Sequence, residues 1–198
     1  MTKTQKVNFK TPRGTAKYPR LDQPYSWNEA AGRNMPDPEG QFETRIIMPE
    51  KDAQPLIKTI KDAIAAAGVK PKHLPWKPEV DKDTDEPTGN IEFTLKRYGK
   101  DTQGKPNKIA FFDSKGVMIK RDVDLTSGSV VICSGWINVS KMAARLNLKA
   151  VQVIKLIERE VEGFEAVEDD DAYVAEDDET DNNDFDNEEE AHSGRPNF

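Results

Sequence analysis

Charge is divided along this chain more sharply than any other property. Residues 165–198 hold 15 acids and one base, Arg195, a net of −14, while the whole chain has 29 bases, 36 acids and a net of −7. Residues 1–164 are therefore left with 28 bases and 21 acids, a net of +7. A like-charged block with so little apolar surface cannot offset the entropy lost on ordering. The expected organisation is a basic folded domain, 1–164, followed by a disordered acidic tail, 165–198. The tail ends Ser193-Gly194-Arg195-Pro196-Asn197-Phe198, nearly neutral up to an aromatic tip. A solubilising brush has no use for an apolar hook, so Phe198 is expected to anchor a partner protein. Tethered close to a basic body, the tail should also compete with anionic ligands for it.

Several classes of function fall away. No apolar run approaches the roughly 18 residues of a membrane span, and residues 1–10 lack the apolar stretch of a signal peptide. One cysteine, Cys133, cannot make an internal disulfide, and His73 and His192 are too few for a zinc site. The expectation is a soluble, intracellular protein with no membrane contact, metal or cofactor.

The hydrophobic pattern points to strands. Residues 14–18 fit a short first strand, and 22–40 form a loop rich in Pro and Gly. In 41–48, Phe42, Thr44, Ile46 and Met48 alternate with Glu43 and Arg45, as in a half-buried strand. Asp52 is positioned to cap a helix in which Leu56, Ile57, Ile60, Ile64 and Ala67 recur before Gly68. Residues 69–90 look irregular. Strands are expected at 91–98, at 107–112, at 117–119 after a turn at 113–116, and at 128–139. The stretch 144–158 fits a helix or a strand, and its Val-Gln-Val-Ile ending favours the strand. Five or more strands, one helix and long loops make a mainly β protein: an OB-fold-like five-stranded barrel with one packed helix.

Three motifs suggest chemistry and fail on inspection. Residues 99–105 have Walker A spacing, but Pro106 stands where the magnesium-binding hydroxyl belongs, so a lysine-bearing hairpin loop is the better reading. Asp81, Asp83, Asp85 and Glu92 fall on calcium-loop positions, but Glu86 replaces the required glycine. Cys133 sits in an apolar run and reads as a small core residue rather than a nucleophile. No active site is assembled, and the chain is not expected to be an enzyme.

The surviving pattern interleaves bases with aromatic residues. Single-stranded nucleic acid suits this mixture, because cations track phosphates and ring faces stack on bases. The candidate contacts are Lys17, Tyr18, Arg20, Lys96, Arg97, Tyr98, Lys100, Phe112 and Lys115, joined by Arg45, Lys105 and Lys149. Phe111 and Trp136 are expected in the core, as strand aromatics usually are.

A family likeness rests on residues in a fixed order. Thr11-Pro12-Arg13-Gly14-Thr15-Ala16-Lys17-Tyr18-Pro19, the strand 41–48, and Lys108-Ile109-Ala110-Phe111-Phe112-Asp113-Ser114-Lys115-Gly116 come first. Gly128-Ser129-Val130-Val131-Ile132, the stretch 146–156 and Gly163-Phe164-Glu165 follow, so the likeness spans about 9–165. In these features the chain resembles the bacteriophage single-stranded DNA-binding proteins, which have an OB fold and an acidic tail ending in an aromatic residue. The resemblance implies that 144–156 is a strand and that the protein coats single-stranded DNA in phage replication, recombination and repair. It implies phage or host replication proteins (polymerase, helicase-primase, nuclease) as partners of the tail, in the cytoplasm of the infected bacterium. A homodimer is left open. The loop 22–40, with Trp27 and Arg33, is longer than the family pattern. Two other readings compete: an acidic interaction or chaperone protein that binds basic partners, and a nuclease using loop carboxylates. The basic–aromatic clusters weigh against the first. The second needs carboxylates on rigid elements.

Overall fold

The computed structural model describes residues 6–121 and 123–157. The tail, with Phe198, and the expected boundary after residue 164 lie outside the described residues. The elements run β1 (Val7–Lys10), β2 (Gly14–Asn28), β3 (Arg33–Pro36), β4 (Gln41–Pro49), α1 (Glu50–Ala67), β5 (Trp76–Val80), β6 (Pro87–Tyr98), β7 (Ala110–Phe112), β8 (Val130–Val139) and β9 (Ala144–Lys155).

Five strands close on themselves in the order β8–β2–β4–β6–β9–β8. The closing contact between β6 and β9 is parallel and short, Leu95 to Leu146 and Lys96 to Asn147, whereas the other ring pairs are antiparallel. This is the mainly β, OB-fold-like arrangement expected from the sequence. Strands β1, β3, β5 and β7 add to the ring from outside.

Alternation builds the interior. In β4, Phe42, Thr44, Ile46 and Met48 are buried while their neighbours are only partly covered. Phe93 and Leu95 of β6, Val131 and Cys133 of β8, and Leu146, Leu148 and Val151 of β9 fill the same core. Burial pushes the Cys133 thiol up to about 12, which fits an inert core residue. Buried backbone near the start of the chain is satisfied by Thr11, whose Oγ1 accepts the Cys133 N–H at 2.9 Å. Helix α1 turns Ala53, Leu56, Ile57, Ile60 and Ala63 inward, packing on β1, β4, β6 and β8, and ends at Gly68 with φ 63°. Among the described residues no helix is long and apolar enough to cross a membrane.

Several expectations about elements need correction. The supposed loop 22–40 is largely a hairpin: β2 continues to Asn28 and turns into β3, with Trp27 opposite Asn34. The irregular 69–90 contains β5 and the start of β6, and 6–10 supplies β1. Residues 107–109 precede β7, and 117–119 make only an isolated bridge, Met118 to Phe112. Helix α1 starts at Glu50, with Pro49 at the cap position and no side-chain cap. Asp52 therefore lies in the first turn, where its charge still favours the helix dipole. The strand reading of 144–156 holds.

Candidate nucleic-acid interface

A single row of outward-facing residues crosses the ring and organises the site. Its register partners are Arg20 with Glu43, Glu43 with Lys96, Lys96 with Asn147, Asn147 with Trp136 and Trp136 with Asn8. The two ends of that row differ in chemistry.

At the β2–β4–β6 end, bases are held by carboxylates. Glu43 lies 2.8 Å from Lys96, 3.5 Å from Arg20 and 3.8 Å from Arg45. Glu92, almost fully buried, lies within 3.5 Å of Lys17, Arg45 and Lys77. Glu79 accepts hydrogen bonds from Lys17 at 3.0 Å, Thr88 at 2.9 Å and Asn90 at 3.1 Å. Burial alone would raise the Glu79 carboxyl, but these bonds outweigh it and its pKa is lowered. Burial would lower Lys17, but Glu79 and Glu92 outweigh that and its pKa is raised. Tyr18 stands above this network, 44% exposed, in a left-handed backbone conformation (φ 50°) where the β2–β4 register slips. Bulges of this kind re-aim a side chain, at a cost in strain for a non-glycine residue. Lys82, Arg45 and Lys17 lie 4.9, 5.9 and 6.0 Å from the ring centroid. The Tyr18 phenol, hydrogen-bonded to Lys82, has a lowered pKa.

The β8–β9 end opens into a groove of about 790 Å³. Arg97, Tyr98, Lys100 and Lys149 line it, joined by Lys6, Asn8, Trp136, Asn138 and Asn147. Trp136 is half-buried and lies under two cations, the Arg97 guanidinium at 4.5 Å and the Lys6 ammonium at 5.4 Å from its ring centroid. Arg97 donates to Asn107 Oδ1 at 2.5 Å, and Asn107 donates in turn to the Tyr98 carbonyl at 2.9 Å. Desolvation lowers the Arg97 pKa, with Asp101 opposing it. Half-exposed Tyr98 accepts from Arg145 at 2.7 Å. No described carboxylate lies within ion-pair distance of Lys6, Arg97 or Lys149, whereas Lys100 is paired with Glu39. The groove depends on a close seam: a methyl group at Gly135 would fall 1.8 Å from the Asn147 carbonyl oxygen. Asn147 Nδ2, also at this seam, is buried without a partner.

The candidates from sequence thus divide. Arg97, Tyr98, Lys100 and Lys149 meet in the groove. Lys17, Tyr18, Arg20, Arg45 and Lys96 meet in the ion-paired network. Lys105, Phe112 and Lys115 line neither: Lys105 is in the hairpin loop closed by the Lys100–Pro106 bridge, and Phe112 is on β7 with Lys115 in the turn after it. Phe111 packs on the core as expected. Trp136 corrects its core assignment, because Val131, Cys133 and Ile137 take the inward positions of β8 and turn Trp136 outward. Lys6, Asn8, Asn138 and Asn147 were not foreseen. The Asp81 loop folds on itself, Asp81 Oδ1 accepting the N–H groups of Asp83 and Thr84. Among the described residues no cluster of three His, Cys, Asp or Glu is placed to hold a metal.

No protein-family profile and no curated protein sequence matches the chain. Solved structures do. Gp2.5, a single-stranded DNA-binding protein encoded by bacteriophage T7, is 20% identical with a TM-score of 0.57, covering 87% of this chain and 100% of its own. The C-terminally truncated single-stranded DNA-binding protein from bacteriophage Enc34 is 18% identical with a TM-score of 0.54, covering 76% and 87%. The same Enc34 protein in complex with single-stranded DNA gives 18% and 0.52, covering 76% and 88%. Likeness at this level of identity is likeness of fold, and the fold of this chain is the one seen in those phage single-stranded DNA-binding proteins.

Proposed function

We propose that the chain is a non-enzymatic single-stranded DNA-binding protein. The observation that carries this reading is the groove. There Lys6, Arg97 and Lys149, unpaired with any described carboxylate, stand beside Trp136 and half-exposed Tyr98. Mobile phosphates need cations that are not already neutralised, and unpaired bases need flat surfaces. The fold shared with the T7 and Enc34 proteins supports the same reading. Titrating the full chain with oligo(dT) at several salt concentrations tests it. If about four to six phosphates are neutralised, the log–log slope is about −3 to −4. Binding that ignores salt, or that prefers duplex, overturns the reading.

In this role the protein coats DNA during phage replication, recombination and repair in the infected cell, and residues 165–198 recruit replication proteins through Phe198. The support for the tail's part is the net charge of −14 over residues 165–198 and the aromatic Phe198 that accompanies it. Truncation after Phe164 then raises affinity for single strands at low salt, where screening is weakest. Phe198→Ala leaves that affinity unchanged and weakens capture of the partner enzymes. Unchanged DNA affinity in the truncated chain at low salt refutes competition by the tail.

A further inference from the structure

Resting on the single-strand reading above, we infer that Arg97 is a surface on which a base stacks, and not a phosphate ligand. An aromatic ring beside a cation usually suggests that the ring takes the base and the cation the phosphate. Here the ring is already covered, since the Arg97 guanidinium lies over Trp136 at 4.5 Å and Lys6 reaches the same ring at 5.4 Å. A guanidinium is planar and weakly hydrated, so one face can rest on an indole while the other receives a base. Arg97 has the features this requires. Its Nη2 donates to Asn107 Oδ1 at 2.5 Å, which restrains the plane. Burial removes part of its water and lowers its pKa against the opposing charge of Asp101, and no described carboxylate lies within ion-pair distance of it. It also lines the groove together with Trp136, so a ligand held there reaches the guanidinium. Lys149, exposed on the same groove, is left to hold phosphate.

The test is Arg97→Lys in the full chain, which keeps the charge and removes the plane. Two probes of equal length are used, oligo(dT) and a fully abasic strand with the same phosphates. The expected result is a loss of about 5- to 20-fold on oligo(dT), no change on the abasic strand, and an unchanged salt slope. Equal loss on both probes makes Arg97 a phosphate ligand and overturns the inference, as does no loss on either. If Arg97→Lys unfolds, Asn107→Leu carries the test, with a smaller loss confined to oligo(dT). Equal loss on both probes, or none, overturns the inference there too. Wild-type protein that binds neither probe overturns the single-strand reading itself, and the subsite with it.

Discussion

The two halves of one row of side chains explain why counting bases misjudges this surface. Arg20, Glu43 and Lys96 lie at one end, Asn147, Trp136 and Asn8 at the other, in continuous register across the ring. The first half has more cations but spends their charge internally, on Glu43, Glu79 and Glu92. The second half has fewer and leaves Lys6, Arg97 and Lys149 unpaired by described carboxylates. What an anion meets is set by where the carboxylates are, so the half with fewer cations is the one proposed to bind.

The sharpest way to break the comparison is to break the seam behind the groove. Gly135→Ala would place a methyl 1.8 Å from the Asn147 carbonyl oxygen, on rigid backbone that cannot step aside. Strands β8 and β9 must separate, at a cost of about 3 kcal/mol or more. Thermal unfolding measures this. A variant with wild-type melting and wild-type oligo(dT) binding would mean that the strands do not meet as described.

Next in size is the contrast between the halves themselves. Trp136→Ala removes the support under Arg97 and should weaken oligo(dT) binding by about 1–3 kcal/mol. Arg45→Ala, taken from between Glu43 and Glu92, should cost less than about 1 kcal/mol of binding, as its charge is already matched. Fluorescence anisotropy of labelled oligo(dT) compares the two. Equal losses would dissolve the distinction between groove and network.

The core was legible in the sequence where burial imposes a period. Phe42, Thr44, Ile46 and Met48 alternate because one face of β4 is interior, and α1 shows its buried stripe for the same reason. Strands β3 and β5 bury none of their residues and β1 buries only Phe9, so nothing in their composition distinguished them from loops. The site was half legible. Arg97 and Tyr98 stood out as a basic–aromatic pair, and the alternation in β8 would have turned Trp136 outward had its period been followed. The partners of Lys17 and Arg45 were hidden, because Glu79 and Glu92 are 62 and 47 residues away. Neutralisation across a sheet leaves no local trace in sequence.

A smaller effect separates masked bases from unmasked ones. Glu43→Gln removes the carboxylate that holds Lys96 at 2.8 Å and Arg20 at 3.5 Å. The two freed bases can then turn to phosphate, so affinity at low salt rises about two- to fivefold. The salt slope steepens by about 0.7 for each new contact. A slope unchanged from wild type would show that these bases never reach the strand.

The smallest effect concerns what the network does in place of binding. Glu79 joins β5 to β2 and β6 through Lys17, Thr88 and Asn90. Its folded pKa is lowered below the ordinary 4.5, so its contribution to stability is present above that value and fades as pH falls through the folded pKa. Lys17 has the opposite sign: its pKa is raised above 10.5, so its contribution is present below that value and is lost as pH rises through the folded pKa. The pair is therefore fully effective between the two limits. Glu79→Gln should lower the melting temperature at pH 7, and its gap from wild type should narrow as pH drops below about 4.5. Oligo(dT) binding at pH 7 should change less than about twofold, because the groove cations are elsewhere. A gap that stays constant into acid would remove Glu79 as the titrating group. A binding change larger than the stability change would move the network from holding the sheet together to holding the ligand.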